Sequence, residues 1–110
     1  MSRQKQTYRV ELIHSGSKQV FFFEKDAIVI GRLPHCDLVI DDTNVSREHA
    51  RIVLKDYQGL IVEDLKSSNG TLVNGKKLPP NKPTVFVEKD FISLGNTTAV
   101  IKVFKVEVTP

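Results

Sequence analysis

Apolar residues in this chain recur at every second position, in short bursts, and that period excludes most folds. Tyr8, Val10 and Leu12 alternate with Arg9 and Glu11, and Ala50, Ile52 and Leu54 alternate with Arg51 and Lys55. A strand sends successive side chains to opposite faces, so this alternation marks sheets with one face in a core and the other in water. Further β-rich runs are QVFFF at 19–23, AIVI at 27–30, Leu38 to Ile40, LIVED at 60–64, Thr71 to Val73, Thr84 to Val87 and Phe91 to Leu94. The longest run is Ala99 to Val108. No window carries a convincing 3.6-residue period of an amphipathic helix.

Gly, Pro, Asn, Asp and Ser gather between the runs, as HSGS at 14–17, DDTN at 41–44, SSNG at 67–70, VNGK at 73–76 and LPPNKP at 78–83. About ten short strands at this spacing predict an all-β sandwich or barrel. The Pro residues fall outside the strong runs, as ladder hydrogen bonding requires. Asn-Gly is a strong hairpin signal, so Asn69-Gly70 and Asn74-Gly75 both read as tight turns, and DDTN reads as plain turn chemistry. The last run changes phase: Ile101 and Val103 share one face, whereas Phe104, Val106 and Val108 share the other. A bulge near Val103 or burial on both faces would produce this.

Composition narrows the function. The 110 residues suit one domain, and 40% hydrophobic with 26% charged residues is the balance of an ordinary globular one. The net charge of +3 favours anionic partners, but Lys and Arg are scattered and aromatics reach only 7%, with no Trp. Nucleic acid is therefore a disfavoured partner. Cys36 is alone, which removes disulfides and Cys-based zinc sites and leaves a small buried or half-buried thiol. No apolar stretch approaches the roughly 20 residues of a membrane helix. The opening MSRQKQT has no signal core, so the expected setting is intracellular, cytoplasmic or, in a eukaryotic cell, nuclear, with no membrane partner.

The stretch NVSREHARIV at 44–53 sets Ser46, Arg47 and His49 before a strand, with Asp64 further on. A Ser-His hydrolase is one reading. It lacks a nucleophile elbow and an oxyanion donor set, and an odd separation splits Ser46 and His49 between strand faces. His14, His35 and His49 share no metal-ligand spacing. An anion site is the better reading. Three loops adjoin strands and offer phosphate-type donors: Gly31-Arg32, Ser46-Arg47 and Ser67 to Gly70. Arg supplies a planar fork, Ser a hydroxyl, and Gly a close backbone approach. A phosphate with about two charges needs donors from several directions, and loops at one end of a sandwich supply that convergence. Taken singly, Arg32 also reads as a solvated surface residue and Ser46 as a local backbone cap.

Taken together, IGR at 30–32, SREHARI at 46–52, SSNGT at 67–71 and VNG at 73–75 resemble the forkhead-associated (FHA) domain in residue type, order and spacing, from about Ala27 to Asn96. The resemblance implies a sandwich of about eleven mostly antiparallel strands, with binding loops at one end. It assigns residues 7–108 to the domain, 1–6 to a flexible leading segment and 109–110 to a tail. It implies recognition of phosphothreonine-containing protein segments, with no catalysis, cofactor or metal. Arg32, Ser46, Arg47 and Ser68 would contact phosphate and Asn69 the peptide backbone, while Gly31, His49 and Gly70 would support the site. Leu33 to Cys36, Thr43 to Val45 and the stretch beyond Val73 would read flanking residues. The rival is an FHA-like domain that binds a partner through a sheet face without phosphate. One departure stands out: in Glu88-Lys89-Asp90, Lys89 occupies a place where the family often has Gly, so the turn there is expected to differ.

Overall fold

The structure, a computed structural model, describes residues 6–55 and 59–107. Eleven strands and no helix are present among them: β1 Tyr8–His14, β2 Ser17–Phe23, β3 Ala27–Gly31, β4 Leu38–Val39, β5 Ala50–Val53, β6 Leu60–Asp64, β7 Thr71–Val73, β8 Lys76–Lys77, β9 Thr84–Phe86, β10 Ile92–Leu94 and β11 Val100–Lys105. They form two sheets, one in the order β2-β1-β11-β10-β7-β8 and the other β4-β3-β5-β6-β9. The described strand pairs are antiparallel except β3 with β4.

The alternation places its apolar half between the sheets. Val10, Leu12, Ile92, Leu94, Ile101 and Val103 come from one sheet, and Ile28, Ile30, Leu38, Ile52, Val62 and Phe86 from the other; all are buried. Each such side chain contributes about 1.5–3 kcal/mol by leaving water. The phase change in the last run needs no bulge. β11 pairs with β1 without interruption from Tyr8↔Lys105 to Ile13↔Val100. Ile101 and Val103 face the core, and Phe104 lies on the outer face with the Arg9 guanidinium 4.6 Å above its ring. Val108, the leading residues 1–5 and the tail 109–110 lie outside the described residues. Gln6 donates through Nε2 to Val106 O at 2.9 Å.

The two Asn-Gly pairs do different work. Asn74-Gly75 is the hairpin the sequence suggests: Val73 pairs with Lys76, and Asn74 and Gly75 both have positive φ, 52° and 82°. Asn69-Gly70 is not a hairpin. β6 belongs to one sheet and β7 to the other, so SSNG carries the chain across the sandwich. At Lys89 no glycine is needed. Asp90 N donates to Val87 O and Val87 N to the Asp90 carboxylate, both at 2.9 Å, and Lys89 keeps a negative φ. The Asp90 carboxyl is held below its ordinary range by the Asn74 side-chain amide and the Val87 N–H.

Candidate functional site

The chain enters the site end of the sandwich where β3 stops. Gly31 lies so close to the loop before β5 that a Cβ there would stand 2.1 Å from Arg47 O and 2.8 Å from Cys36 Sγ. No larger residue fits without moving backbone. That approach lets Arg32 N donate to Ser46 O at 3.0 Å and Arg47 O at 3.1 Å. Cys36, buried, donates its thiol to Arg47 O at 3.3 Å, and burial pushes this thiol up from its ordinary value.

Arg32 is half-buried. Its Nε donates to Val45 O at 3.1 Å, and its terminal NH2 groups have no partner among the described residues. The fork is thus anchored at its base with its strongest donors unspent. The loop that holds Val45 is itself shaped by Asp42. The Asp42 carboxylate accepts Asn44 N at 2.9 Å and meets His14 Nε2 at 3.0 Å. The His14 hydrogen bond and then the Asn44 N–H hold the Asp42 carboxyl below its ordinary range.

Ser46 Oγ accepts the N–H of Ser68 at 2.9 Å, which joins the second loop to the third and leaves the Ser46 hydrogen free to donate. Ser46 N donates to His49 Nδ1 at 3.0 Å. The other ring nitrogen, Nε2, donates to Gly70 O at 2.9 Å. A backbone N–H only donates and a carbonyl only accepts, so His49 is the neutral Nε2–H tautomer. Both ring nitrogens are spent on backbone, and neither faces the Ser46 hydroxyl. The Ser-His nucleophile pair is therefore not assembled. His49 is fully buried, and its own N–H and C=O reach Ile30 O at 2.7 Å and Leu65 N at 2.9 Å.

The third loop is anchored by Asp64, 2% exposed. Its carboxylate accepts Ser67 N at 3.1 Å, the Ser67 hydroxyl, and Thr71 Oγ1 at 2.7 Å. Ser67 Oγ in turn accepts Gly70 N at 2.9 Å. Ser67 thus faces inward, and Ser68 is left exposed with its hydroxyl unpartnered among the described residues. Asn69 Nδ2 donates to Asn44 O at 2.9 Å, and Asn69 Oδ1 accepts Asn96 Nδ2 at 3.1 Å. Gly70 takes φ of +91°, which only Gly adopts freely. A Cβ at Gly95 would stand 1.8 Å from Asn69 O, and Gly95 N donates to Gly70 O at 2.9 Å.

Arg32, Ser46, Arg47, Ser68 and Asn69 line one open cleft of about 340 Å³, with Thr43, Asn44, Val45 and Glu48. Gly31, His49 and Gly70 lie behind it. Glu48 in the cleft is paired with His35, whereas the Arg47 guanidinium has no acidic partner among the described residues. Positive charge and hydroxyl donors thus converge on solvent. Among the described residues no group of three His, Cys, Asp or Glu side chains is placed to hold a metal ion. Among the described residues no helix is long and apolar enough to cross a membrane.

Sequence reasoning missed Asp64 as an anchor, having weighed it only as a third triad member. It also missed Gly95 and Asn96, which brace Asn69 from the β10–β11 loop. A hydroxyl residue three and seven positions after Asp64, and Gly-Asn closing an apolar run, are the signals they leave.

A family model described as FHA domain matches residues 28–95, which takes in every loop of the cleft. The chain is 32% identical over 79 residues to FHA domain-containing protein PS1 of Arabidopsis thaliana, covering 71% of this chain and 5% of that protein. Two solved structures are similar at 30% identity. One is the FhaA FHA domain complexed with the intracellular domain of another protein, with a TM-score of 0.72 over 88% of this chain and 99% of that one. The other comes from a structural and functional analysis of phosphothreonine-dependent FHA domain interactions, with a TM-score of 0.69 over 93% and 98%. The chain spans only a small part, 5% to 22%, of the curated relatives it matches. With two-sheet architecture, cleft loops and family match coinciding, the chain belongs to the forkhead-associated (FHA) domain family.

Proposed function

We propose that this domain is a non-catalytic interaction module that binds phosphothreonine-containing protein segments in the cleft. The observation that carries the reading is the set of unspent donors, namely the Arg32 terminal NH2 groups and the Ser46 and Ser68 hydroxyls, held on loops that are bonded to one another. A phosphate presents three acceptor oxygens, and charge-assisted hydrogen bonds to it are roughly twice as strong as neutral ones. Arg32 takes two oxygens, Ser46 and Ser68 donate to the third, and Arg47 adds charge from the rim. Asn69 retains one N–H and one lone pair beyond its bonds to Asn44 and Asn96, enough to hold a peptide backbone group. Relatives studied with phosphothreonine-dependent partners support the same ligand class.

Amide chemical-shift mapping tests the assignment. A degenerate peptide library with a fixed phosphothreonine should shift signals at 31–33, 44–47 and 67–70. Shifts confined to the sheet faces would overturn it and favour a phosphate-independent partner.

A further inference from the structure

Among the described residues, β2 lies at an edge of the six-stranded sheet and pairs only with β1. Its other side carries backbone N–H and C=O groups with no strand partner among the described residues, a template for another strand. Protein edges are usually blunted by Lys or other charges, Pro, bulges or inward-pointing charge. β2, SKQVFFF, has no Pro, bulge or inward-pointing charge, its one charged residue is Lys18 near its start, and it pairs with β1 in unbroken register from Tyr8↔Phe23 to His14↔Ser17. Its outer face exposes Phe22 at 64% and Val20 at 45%.

The charges decide what fits there. Lys18, Val20, Phe22 and Glu24 alternate along the chain and so share one face. A second copy laid antiparallel with a two-fold axis at Phe21 sets each Val20 opposite Phe22 of its mate, and each Lys18 opposite Glu24. Both are cross-strand pairs that stabilise a sheet, and two-fold symmetry makes each occur twice. An axis at Val20 would instead set Lys18 against Phe22, and an axis at Phe22 would set Val20 against Glu24, so the Phe21 register alone matches both the apolar and the charged positions. Neither charge is fully matched within one chain. Lys18 approaches Glu11 at 3.4 Å, but Glu11 is shared with Arg9. Glu24 accepts the Thr7 hydroxyl at 3.1 Å and has no cation partner among the described residues.

We propose that two copies of this chain associate through β2 in that register and form one continuous sheet. Pairing along one edge places the interface at the small end of specific contacts. The β1–β2 turn lies at the cleft end, tied there by His14 and Asp42 at 3.0 Å. An antiparallel pair therefore points its two clefts in opposite directions. On the binding function proposed above, the dimer bridges two separate phosphorylated segments.

Sedimentation velocity over a concentration series tests the interface without any peptide. The wild-type chain should dimerise, and Lys18→Glu or Glu24→Lys alone should weaken this about tenfold or more, because two opposite-charge pairs become like-charge pairs. An equimolar mixture of the two variants should regain dimerisation, since every 18–24 pair in the heterodimer is again opposite in sign. Both residues are exposed, and circular dichroism melts confirm that each variant folds. Should either fail, Val20→Glu on the same exposed face supplies a second interruption and should also weaken association. A wild-type chain that stays monomeric, an association indifferent to these changes, or a mixture that stays monomeric would each overturn the proposal.

Discussion

Replacing His49 with Ala should cost about 3–5 kcal/mol of folding stability, and the structure says where the loss arises. The side chain is fully buried and makes two hydrogen bonds, from Ser46 N and to Gly70 O. Truncation orphans the Ser46 N–H outright, at about 1–3 kcal/mol. Gly70 O loses less, because it keeps the Gly95 N–H at 2.9 Å. The vacated ring adds a cavity term of about 1–2 kcal/mol. Against a total of about 5–15 kcal/mol for a domain this size, the fold survives, with a melting point about 10–20 °C lower. The accounting also orders the rescues. Asn places its amide oxygen near the Nδ1 position and restores the Ser46 bond, whereas Gln reaches toward Gly70. His49→Asn should therefore be more stable than His49→Gln, and both more stable than His49→Ala. Urea unfolding with matched slopes measures all three. A change within about 0.5 kcal/mol for His49→Ala, the scatter of surface substitutions, would refute the buried-brace role. Gln ahead of Asn would refute the orphan assignment.

Arg32→Ala should weaken phosphopeptide binding about ten- to a hundredfold, with Arg32→Lys recovering part of it, because an ammonium cannot bond two oxygens in the plane of a fork; calorimetry reads both. Gly95→Ala drives a Cβ into Asn69 O, and should lower stability by about 1–3 kcal/mol and loosen the Ser68–Asn69 loop, seen as weaker binding and faster amide exchange at 67–70. Asp42 and Asp90 are both held below the ordinary carboxylate range. Burial opposes the same shift at Asp37, but the Lys25 ammonium and the Val29 N–H outweigh it. A depressed carboxyl stabilises above its unfolded pKa of about 3.9 and loses that contribution as pH falls through its lower folded value. Stability should therefore decline as pH falls below about 4, and Asp42→Asn should flatten part of that decline in a pH series of urea midpoints. Binding should be level from about pH 7 to 8 and fall near pH 6, where the ligand phosphate takes up its second proton.

Where a side chain's partner is near in sequence or sets the alternation, the residues announce it. Val10 and Leu12, Ile28 and Ile30, and Ala50 and Ile52 all bury the half of each strand that the period of two selects. Asn74-Gly75 forms its hairpin because both residues tolerate positive φ locally. Asn69-Gly70 has the same chemistry and a different fate, since sheet membership is decided by the partners of β6 and β7, far along the chain. β8, Lys76–Lys77, carries no apolar signal and is a strand only because the hairpin lays it on β7. Ser46, Ser68 and Arg32 were legible as donors through the ordered family signature. The requirement for Gly at 31 and 95 was not legible in its cause. It arises from approaches to Arg47 O and Asn69 O that span many residues. Asp64 was hidden for a similar reason: a strand-end carboxylate reads as surface until the loop after it folds back to bury it.

Phosphate dependence is tested most directly by calorimetric titration of one peptide scaffold, taken from the strongest binder of a degenerate phosphothreonine library, in three forms: phosphothreonine, phosphoserine and unmodified threonine. The phosphothreonine form should bind, and the unmodified form should bind at least about a hundredfold more weakly, because Arg32, Ser46 and Ser68 lose their shared acceptor. The phosphoserine form should fall about ten- to a hundredfold below phosphothreonine, since it forfeits a buried methyl of about 0.8 kcal/mol, the packing around it and the χ1 restriction of a β-branched residue. Equal affinities for the phosphorylated and unmodified threonine peptides would contradict a phosphate-reading cleft.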